Sequence, residues 1–432
     1  MGFNRLRICT IVWSYFLEMT INCVKTDVKA QSIYLCYPYL FIFLEESTEI
    51  YRVQETSLQY VVTVSRAFPH CGSVLVDPSR DVVIIEQEHL FIFNLHTGRH
   101  VKTSSLFDSP RTHLLSYDNG LVRVALEGRG GAAPVEEDAI LVFDPLGLES
   151  AEQEYLIQIR RPRTNTFFIT NHVFFPPKGG AVIVEHSAWS AGPLKLLYWR
   201  PEDLAKSTSS PTRSIEIPMS LPEGDLMEAI HSVAVGESTF AFCKQDIHMG
   251  ADGRLTAIYA ISIPNLDILW STVPIEGEPN SIHYVPEQNM IVAIGRTTEY
   301  LSYTSTWIVA LDAQTGERRR FTTFHNRKLG KKLVICQLTT NLSDDGTITV
   351  LDNPDLVFVF LEGDIIVHSL IDFLGKGLPD DDLSTLAETS MCCTSDVRFN
   401  NWYQRLDGKS IGISNRCVAI VDDEDEIAVL TW

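Results

Sequence analysis

Residues Asp81 to Gly98 read DVVIIEQEHLFIFNLHTG, which is the pattern of two short β-strands joined by a tight turn. Both runs are rich in β-branched and aromatic residues, and the second run ends in a Thr-Gly turn at Gly98. The stretch STWIVALDAQTGER repeats this unit around Gly316, and DAILVFDPLGLE is a degraded copy around Gly147. The sequence therefore predicts antiparallel strand units that recur along the chain.

The spacing of these copies selects the architecture. Gly98 lies 49 residues before Gly147 and 218 residues before Gly316, which is close to four periods of about 54 residues. Such a period, with several strands per repeat, is typical of β-propeller blades, whose sheets stack around an axis to bury both faces. We therefore predict an all-β fold, a β-propeller of seven or eight four-stranded blades: eight copies can be counted, whereas seven blades are the commoner number.

Two of these strands also carry a family resemblance. LFIFNLHTGRH and WIVALDAQTGER resemble the third strand and the exit turn of blades in the WD40/YVTN-like β-propeller superfamily. The chain lacks the Gly-His and Trp-Asp dipeptides of strict WD40 blades and the repeated Gly-Gly pairs of kelch blades. The predicted organisation is an N-terminal segment, residues 1–31, followed by a single propeller domain, residues 32–432.

The two ends of the chain are expected to complete one blade together. The last segment, GKSIGISNRCVAIVDDEDEIAVLTW, provides three strands, so a closed ring needs its fourth strand from the N-terminal region. Arg5 and Arg7 precede the apolar run ICTIVWSYFL, which also suits a signal peptide. However, Glu18 follows this run, and no small-x-small cleavage site precedes Val24. We therefore favour a cytoplasmic or nuclear protein, with secretion as the alternative.

Charge and cysteine content narrow the function classes. The chain of 432 residues has 35 Lys and Arg against 55 Asp and Glu, a net charge of −20. This balance disfavours nucleic acids and anionic membranes as partners, because phosphate groups are bound by clustered cations. The nine cysteines form no C-x-x-C pair and lie mostly in apolar runs, which predicts buried free thiols in a reducing compartment.

Three motifs imitate catalytic or ligand-binding signatures. GRGGAAP follows the dinucleotide-binding pattern, but Pro134 and the next strand leave no room for the helix that holds the pyrophosphate. GKSIG matches a hydrolase nucleophile turn, but the last histidine, His368, precedes it, which excludes that catalytic order. The acidic runs Asp380–Asp382 and Asp422–Glu426 lack calcium-loop spacing. We therefore predict no catalytic residues, no cofactor and no metal, and expect that the protein is not an enzyme.

One basic segment is the predicted binding site. Residues 318–332, RRRFTTFHNRKLGKK, hold seven cations and no acid in a strongly acidic chain. Solvated strand edges and a nuclear-import-like signal are the alternatives to a surface for a protein partner with an acidic segment. The predicted partner-binding residues are Arg318, Arg319, Arg320, Arg327, Lys328, Lys331 and Lys332.

The predicted function is a non-enzymatic scaffold that mediates protein–protein interactions, with an adaptor role by analogy to other propellers. Two alternatives stay open at this point. One is a propeller enzyme, either a quinoprotein-like oxidoreductase or a hydrolase, and the other is a glycan-binding propeller. Both alternatives gain if the protein is secreted.

Overall fold

The structure is a computed structural model that describes a large part of the chain. The described residues are 7–11, 21–26, 28–55, 57–68, 73–87, 90–104, 112–118, 121–126, 138–143, 155–159, 168–174, 176, 179–187, 194–205, 210–217, 226–248, 253–299, 302–325, 333–344, 348–360, 364–376, 391–394, 411–421 and 427–432. They are predominantly β-strand with little helix, which confirms the predicted all-β class. The helices among them are α1 (Pro201–Ala205), α2 (Leu370–Lys376) and a 3₁₀ turn (Pro286–Gln288).

The described part of the chain contains 36 strands. The first ten are β1 (Arg7–Ile11), β2 (Ile21–Thr26), β3 (Ser32–Cys36), β4 (Tyr39–Phe43), β5 (Thr48–Gln54), β6 (Ser57–Val64), β7 (Val74–Asp77), β8 (Val82–Glu86), β9 (Leu90–Asn94) and β10 (His100–Ser104). The next are β11 (Thr112–Asp118), β12 (Leu121–Leu126), β13 (Asp138–Phe143), β14 (Tyr155–Ile159), β15 (Phe168–Phe174), β16 (Ala181–Ser187), β17 (Leu194–Trp199), β18 (Arg213–Ile217), β19 (Leu226–Val235), β20 (Thr239–His248), β21 (Gly253–Ser262), β22 (Ile268–Ser271), β23 (Ile275–Glu276), β24 (Glu278–Val285), β25 (Met290–Glu299), β26 (Ser302–Asp312) and β27 (Arg318–His325). The last are β28 (Leu333–Leu338), β29 (Thr340–Leu342), β30 (Ile348–Val350), β31 (Asp355–Phe360), β32 (Asp364–Ser369), β33 (Met391–Thr394), β34 (Ile411–Ser414), β35 (Cys417–Val421) and β36 (Ile427–Thr431).

These strands form eight antiparallel sheets of four or five strands within the described part of the chain, and β29 and β30 form a small hairpin of their own. We number the sheets in chain order: sheet 1 (β3–β6), sheet 2 (β7–β10), sheet 3 (β11–β14), sheet 4 (β15–β18), sheet 5 (β19–β23), sheet 6 (β24–β27) and sheet 7 (β28, β31, β32, β33). The terminal sheet has the order β1-β2-β36-β35-β34. Repeated four-stranded antiparallel sheets fit the predicted β-propeller.

The chain divides into two compact units. The first unit comprises Met1–Asp108, Tyr117–Gly120 and Leu329–Trp432, and it contains sheets 1, 2 and 7 and the terminal sheet. The second unit comprises Ser109–Ser116 and Leu121–Lys328, and it contains sheets 3 to 6 apart from the end of β11. The single domain expected over residues 32–432 stays a prediction.

Within the first unit, sheets pack face to face through shared apolar clusters. Sheet 7 and the terminal sheet share a buried cluster that includes Val359 and Ile420. The terminal sheet and sheet 1 share a second cluster, which includes Val429 and Leu40. Sheets 1 and 2 enclose a third cluster around Phe68, which is fully buried. Because neighbouring sheets cover both of its faces, β4 is apolar and buried at all five positions.

Packing in the second unit follows the same rule. Sheets 4 and 5 share a buried cluster that includes Leu196 and Phe242, and sheets 5 and 6 share another that includes Ala241 and Val309. Residues 241 and 242 are consecutive in β20 and therefore point to opposite faces of sheet 5. Sheet 5 is thus buried between sheets 4 and 6.

The Thr-Gly turns that suggested the repeat close in the same way in sheets 2 and 6. The side-chain oxygen of Asn94 accepts a hydrogen bond of 2.8 Å from the backbone N–H of Thr97. Asp312 accepts the equivalent hydrogen bond, 3.0 Å long, from the N–H of Thr315. Such side-chain-to-backbone bonds are a local property of Asn and Asp in turns. The turns follow β9 and β26, which are the third strands of their sheets, as predicted.

The glycine of each turn is also required by the packing of one sheet on the next. Gly98 and Gly316 have φ values of 62° and 69°, in the left-handed region that favours glycine. A Cβ atom on Gly98 would lie 2.7 Å from Val62 in β6, the outermost strand of sheet 1. A Cβ atom on Gly316 would lie 2.5 Å from the indole of Trp270 in β22, the outermost strand of sheet 5. Each turn therefore docks on the outer strand of the preceding sheet.

The terminal sheet combines both ends of the chain, as the sequence predicted. Strand β36 pairs with β35 on one side and with β2 on the other. Four consecutive residues of β36, Ile427 to Leu430, are buried. The C-terminal strand is therefore an interior element of this sheet, and closure of a complete ring stays a prediction.

Candidate partner-binding surface

The basic segment falls on β27, the outermost strand of sheet 6. Among the residues that the structure describes, β27 pairs only with β26, so its other edge has no strand partner. Arg318, Arg319 and Arg320 are the first three residues of β27. The four remaining predicted residues, Arg327, Lys328, Lys331 and Lys332, lie outside the described residues.

A β-bulge at the start of β27 separates the roles of the three arginines. Arg318 is opposite Leu311 and Arg320 is opposite Ala310, so Arg319 is the extra residue of the bulge. Cross-strand partners point to the same face of a sheet. Because Leu311 belongs to the core shared with sheet 5, Arg318 lies on the face of sheet 6 that packs against sheet 5.

The charge of Arg319 is compensated inside the turn. Its guanidinium donates to the Asp312 carboxylate with an Nη2–Oδ2 distance of 3.0 Å, and Nη1 lies 3.4 Å from Oε2 of Glu317. The hydrogen bond from Arg319, together with that from the backbone N–H of Thr315, lowers the pKa of Asp312 to about 2. Arg319 therefore stabilises the turn before β27, and its role in partner binding stays a prediction.

Arg318 and Arg320 differ from Arg319, because neither forms an ion pair within the described part of the chain. The guanidinium carbon of Arg318 lies 5.4 Å from the centre of the Phe321 ring, a cation–π distance. Phe321 is 39% exposed, and it is opposite Val309, so it shares the sheet-5-facing side with Arg318. The outer strand of sheet 6 thus presents uncompensated positive charge beside an exposed aromatic ring.

An apolar strip of sheet 5 adjoins this charged strand. The indole N–H of Trp270 donates a hydrogen bond of 3.1 Å to the carbonyl oxygen of Ala313, in the turn that leads into β27. Around Trp270, three large side chains are exposed: Ile268 (44%), Leu269 (50%) and Val273 (83%). We call the surface formed by Ile268, Leu269, Val273, Arg318 and Phe321, together with Arg320 on the opposite face of β27, the sheet 5–6 margin.

The apolar half of this surface could not be predicted from the sequence. ILWSTV at residues 268–273 resembles a core strand, and Trp270 within it is buried. Leu269 has no partner position, because the register of β22 on β21 shifts between Ala260 and Ile261. A bulge of this kind depends on pairing with another strand and has no signature in the strand itself.

A second charged cluster lies at the opposite end of β26 and was also missed. The Glu278 carboxylate, at the start of β24, receives hydrogen bonds from Arg254 in β21 and, at 2.5 Å, from Nε of Arg296 in β25. Glu278 has only 12% of its side chain exposed, and its ion pairs with Arg254 and Arg296 tie sheets 5 and 6 together.

No group of three or more His, Cys, Asp or Glu side chains that could hold a metal ion occurs among the described residues. None of the described helices is long and apolar enough to span a membrane. The glycine-rich stretch at Pro134 and the acidic runs Asp380–Asp382 and Asp422–Glu426 lie outside the described residues.

Comparison with known proteins supports the fold alone. No protein-family model and no curated protein sequence matches the chain. Among solved structures, the chain is similar to a computationally designed protein, Ika8, with a TM-score of 0.50 and 10% identity, covering 94% of this chain and 98% of that one. BamB from Moraxella catarrhalis gives a TM-score of 0.49 and 9% identity, with 99% and 100% of the two chains covered.

Proposed function

We propose that the chain is a closed, eight-bladed β-propeller that acts as a non-enzymatic scaffold, binding an acidic, extended segment of a protein partner at the sheet 5–6 margin. The observation that carries this proposal is the pair Arg318 and Arg320. Among the described residues these cations have no ion pair, although the net charge of the chain is −20, and the strand edge on which they lie has no strand partner there.

The blade number and the ring closure rest on the sheets. Eight sheets of at least four strands are present in the described residues, which is the number of copies counted in the sequence. A ring of blades can be closed by one blade that contains strands from both ends of the chain. The terminal sheet has this composition, since β2 pairs directly with β36.

The chemistry of the sheet 5–6 margin suits an extended acidic segment. An edge strand presents a row of unpaired backbone N–H and C=O groups, which a second extended chain can use to add a strand. Alternate side chains of the added strand would point to the two faces of sheet 6. Acidic side chains could then meet Arg318 and Arg320, and apolar side chains could cover Phe321 and the exposed residues of β22. Such charge complementarity raises association rates at low salt.

We propose a cytoplasmic or nuclear location for this scaffold. Four cysteines whose side chains are described, Cys36, Cys243, Cys336 and Cys417, are buried free thiols. Burial raises the pKa of Cys36 and of Cys243 to about 12, which keeps both as unreactive thiols. Free buried thiols are typical of proteins from reducing compartments.

The test begins with a photo-crosslinking amino acid in place of Thr322, which lies in β27 but outside the margin. Crosslinked partner segments from cell extract are identified by mass spectrometry, synthesised as peptides, and their affinity is measured by fluorescence anisotropy at low and high salt. We expect the bound segment to be acidic. We expect the double variant Arg318→Glu, Arg320→Glu to lose on the order of tenfold or more in affinity at low salt, because two attractive charges become repulsive.

The matched control is the double variant Arg52→Glu, Arg99→Glu. Both residues are exposed arginines in sheets 1 and 2 that form no ion pair within the described chain. This control changes the net charge by the same amount but leaves β27 intact. The proposal fails if both double variants lose affinity equally, or if the Arg318→Glu, Arg320→Glu protein binds the peptide as the parent does.

A further inference from the structure

Two cysteines occupy paired backbone positions in the outer strands of the terminal sheet. In the antiparallel pair of β1 and β2, the register places Cys9 directly opposite Cys23. Directly opposite residues of antiparallel strands have Cα atoms about 4.5 Å or 5.5 Å apart, depending on the type of pair. A disulfide bond connects Cα atoms that are about 4.4–6.8 Å apart. Either type of pair therefore brings Cys9 and Cys23 within disulfide distance.

We propose that Cys9 and Cys23 form a reversible cross-strand disulfide, which makes the terminal sheet a site of redox modification. The oxidant is a small disulfide such as oxidised glutathione. The thiolate of one cysteine attacks a sulfur of that disulfide, forms a mixed disulfide and releases one glutathione thiolate. The second cysteine then attacks the mixed disulfide and releases the second glutathione. Two protein thiols are oxidised, and one glutathione disulfide is reduced to two glutathione molecules.

The register sets this pair apart from the other cysteines in described strands. Cys36 is opposite Tyr39, Cys417 is opposite Thr431, and Cys336 is opposite Phe358. Cys243 is likewise flanked by isoleucines, and Cys392 and Cys393 are opposite Ile366 and Ile365. Cys71 lies outside the described residues. No other two cysteines in the described strands occupy opposite positions.

The position of β1 in the terminal sheet determines what a disulfide would connect. Strand β1 is the outermost strand of this sheet and pairs only with β2 among the strands described. Cys23 is also opposite Leu430 of β36, the strand that joins the N-terminal and C-terminal parts of the sheet. A disulfide would therefore fasten β1 to the strand on which this junction depends. It would also close residues 10–22 into a loop, which restricts the unfolded chain.

The chain itself offers a direct assay. Trypsin cleavage after Arg7 and Lys25 leaves both cysteines in one peptide, ICTIVWSYFLEMTINCVK, and further cleavage after Glu18 separates them unless a disulfide links them. The purified full chain is treated with oxidised glutathione, remaining thiols are blocked with N-ethylmaleimide, and non-reduced digests are analysed by mass spectrometry. We expect the peptide to be lighter by two hydrogen atoms, with two fragments still linked after cleavage at Glu18. Dithiothreitol should abolish the linkage.

Two variants keep the result interpretable. Oxidation should raise the melting temperature of the parent protein, because the disulfide restricts the unfolded chain. In Cys9→Ser, Cys23 should appear as a glutathione adduct or as an N-ethylmaleimide adduct, and the increase in melting temperature on oxidation should disappear. In Cys336→Ser, a buried thiol of the same chain, both the linkage and the increase should remain. Recovery of both Cys9 and Cys23 as N-ethylmaleimide adducts in folded, oxidised protein would overturn the proposal, as would linkage of either one to a different cysteine. This outcome is independent of the partner-binding surface.

Discussion

Replacing Gly316 by alanine tests how one sheet is joined to the next in the second unit. Gly316 has a φ of 69°, and an added Cβ atom would lie 2.5 Å from Cδ2 and 2.6 Å from Cε3 of Trp270. Gly236, in the turn between β19 and β20, provides a matched control. Its φ is 64°, but nothing lies within 4 Å of an added Cβ atom. The two substitutions therefore share a backbone cost and differ in packing.

The expected magnitudes follow from these distances. An alanine held at positive φ costs about 1 kcal/mol relative to glycine, so Gly236→Ala should lower the free energy of unfolding by that amount. Gly316→Ala adds a contact that forces the indole or the turn to move, and overpacking of this kind costs about 1–3 kcal/mol. The shift also weakens the hydrogen bond from Trp270 to Ala313, worth about 1 kcal/mol. The total for Gly316→Ala is about 2–5 kcal/mol.

Urea denaturation followed by tryptophan fluorescence and circular dichroism measures both variants. A second cycle in a Trp270→Ala background isolates the contact, because without the indole Gly316→Ala should cost only the backbone term of about 1 kcal/mol. Equal destabilisation by Gly316→Ala and Gly236→Ala would refute docking of the turn on β22. So would a Gly316→Ala cost that stays unchanged when Trp270 is removed.

Two further outcomes are expected. Burial, with the nearby His231 as the second cause, lowers the pKa of His283 to about 4, whereas the value in the unfolded chain is about 6.5. As the pH falls from 6.5 towards 4, the unfolded chain binds a proton at this histidine and the folded protein does not, so the free energy of unfolding decreases. The loss should reach at most about 3 kcal/mol in urea titrations between pH 7 and 4, and His283→Gln should flatten that slope. Deletion of Ile427–Trp432 removes β36 from between β2 and β35, so the truncated protein should aggregate, whereas Thr431→Ala should stay soluble; sedimentation of expressed protein distinguishes the two.

The repeat could be predicted from sequence because its signal is local. The Thr-Gly turns are held by hydrogen bonds between residues three apart, such as Asp312 and Thr315, and by glycines in the left-handed region. These features depend on neighbouring residues in the chain, so a short stretch contains all of the information. The apolar runs before the turns add the strands, and their spacing indicates a repeat of several strands.

The features that could not be predicted depend on strand register. The assignment of Arg319 to an internal ion pair requires the bulge in β27, and the exposure of Leu269 requires the bulge in β22. Cys9 and Cys23 become neighbours only because β1 and β2 pair with one particular offset. A shift of one residue would place every side chain of a strand on the other face, and a sequence without its pairing partners does not specify this offset.

The sheet 5–6 margin is a consequence of the same turn that stacks the sheets. Because Gly316 allows the turn to pack on Trp270, the start of β27 is held beside the outer strand of sheet 5. Apolar residues near 270 and cations near 319 are thereby combined into one surface, although about 50 residues separate them in the chain. Gly316→Ala should therefore reduce both stability and peptide affinity, whereas Arg318→Glu with Arg320→Glu should reduce affinity alone. Surface cations without ion pairs contribute little to folding, so only the glycine substitution should lower both the free energy of unfolding and the peptide affinity.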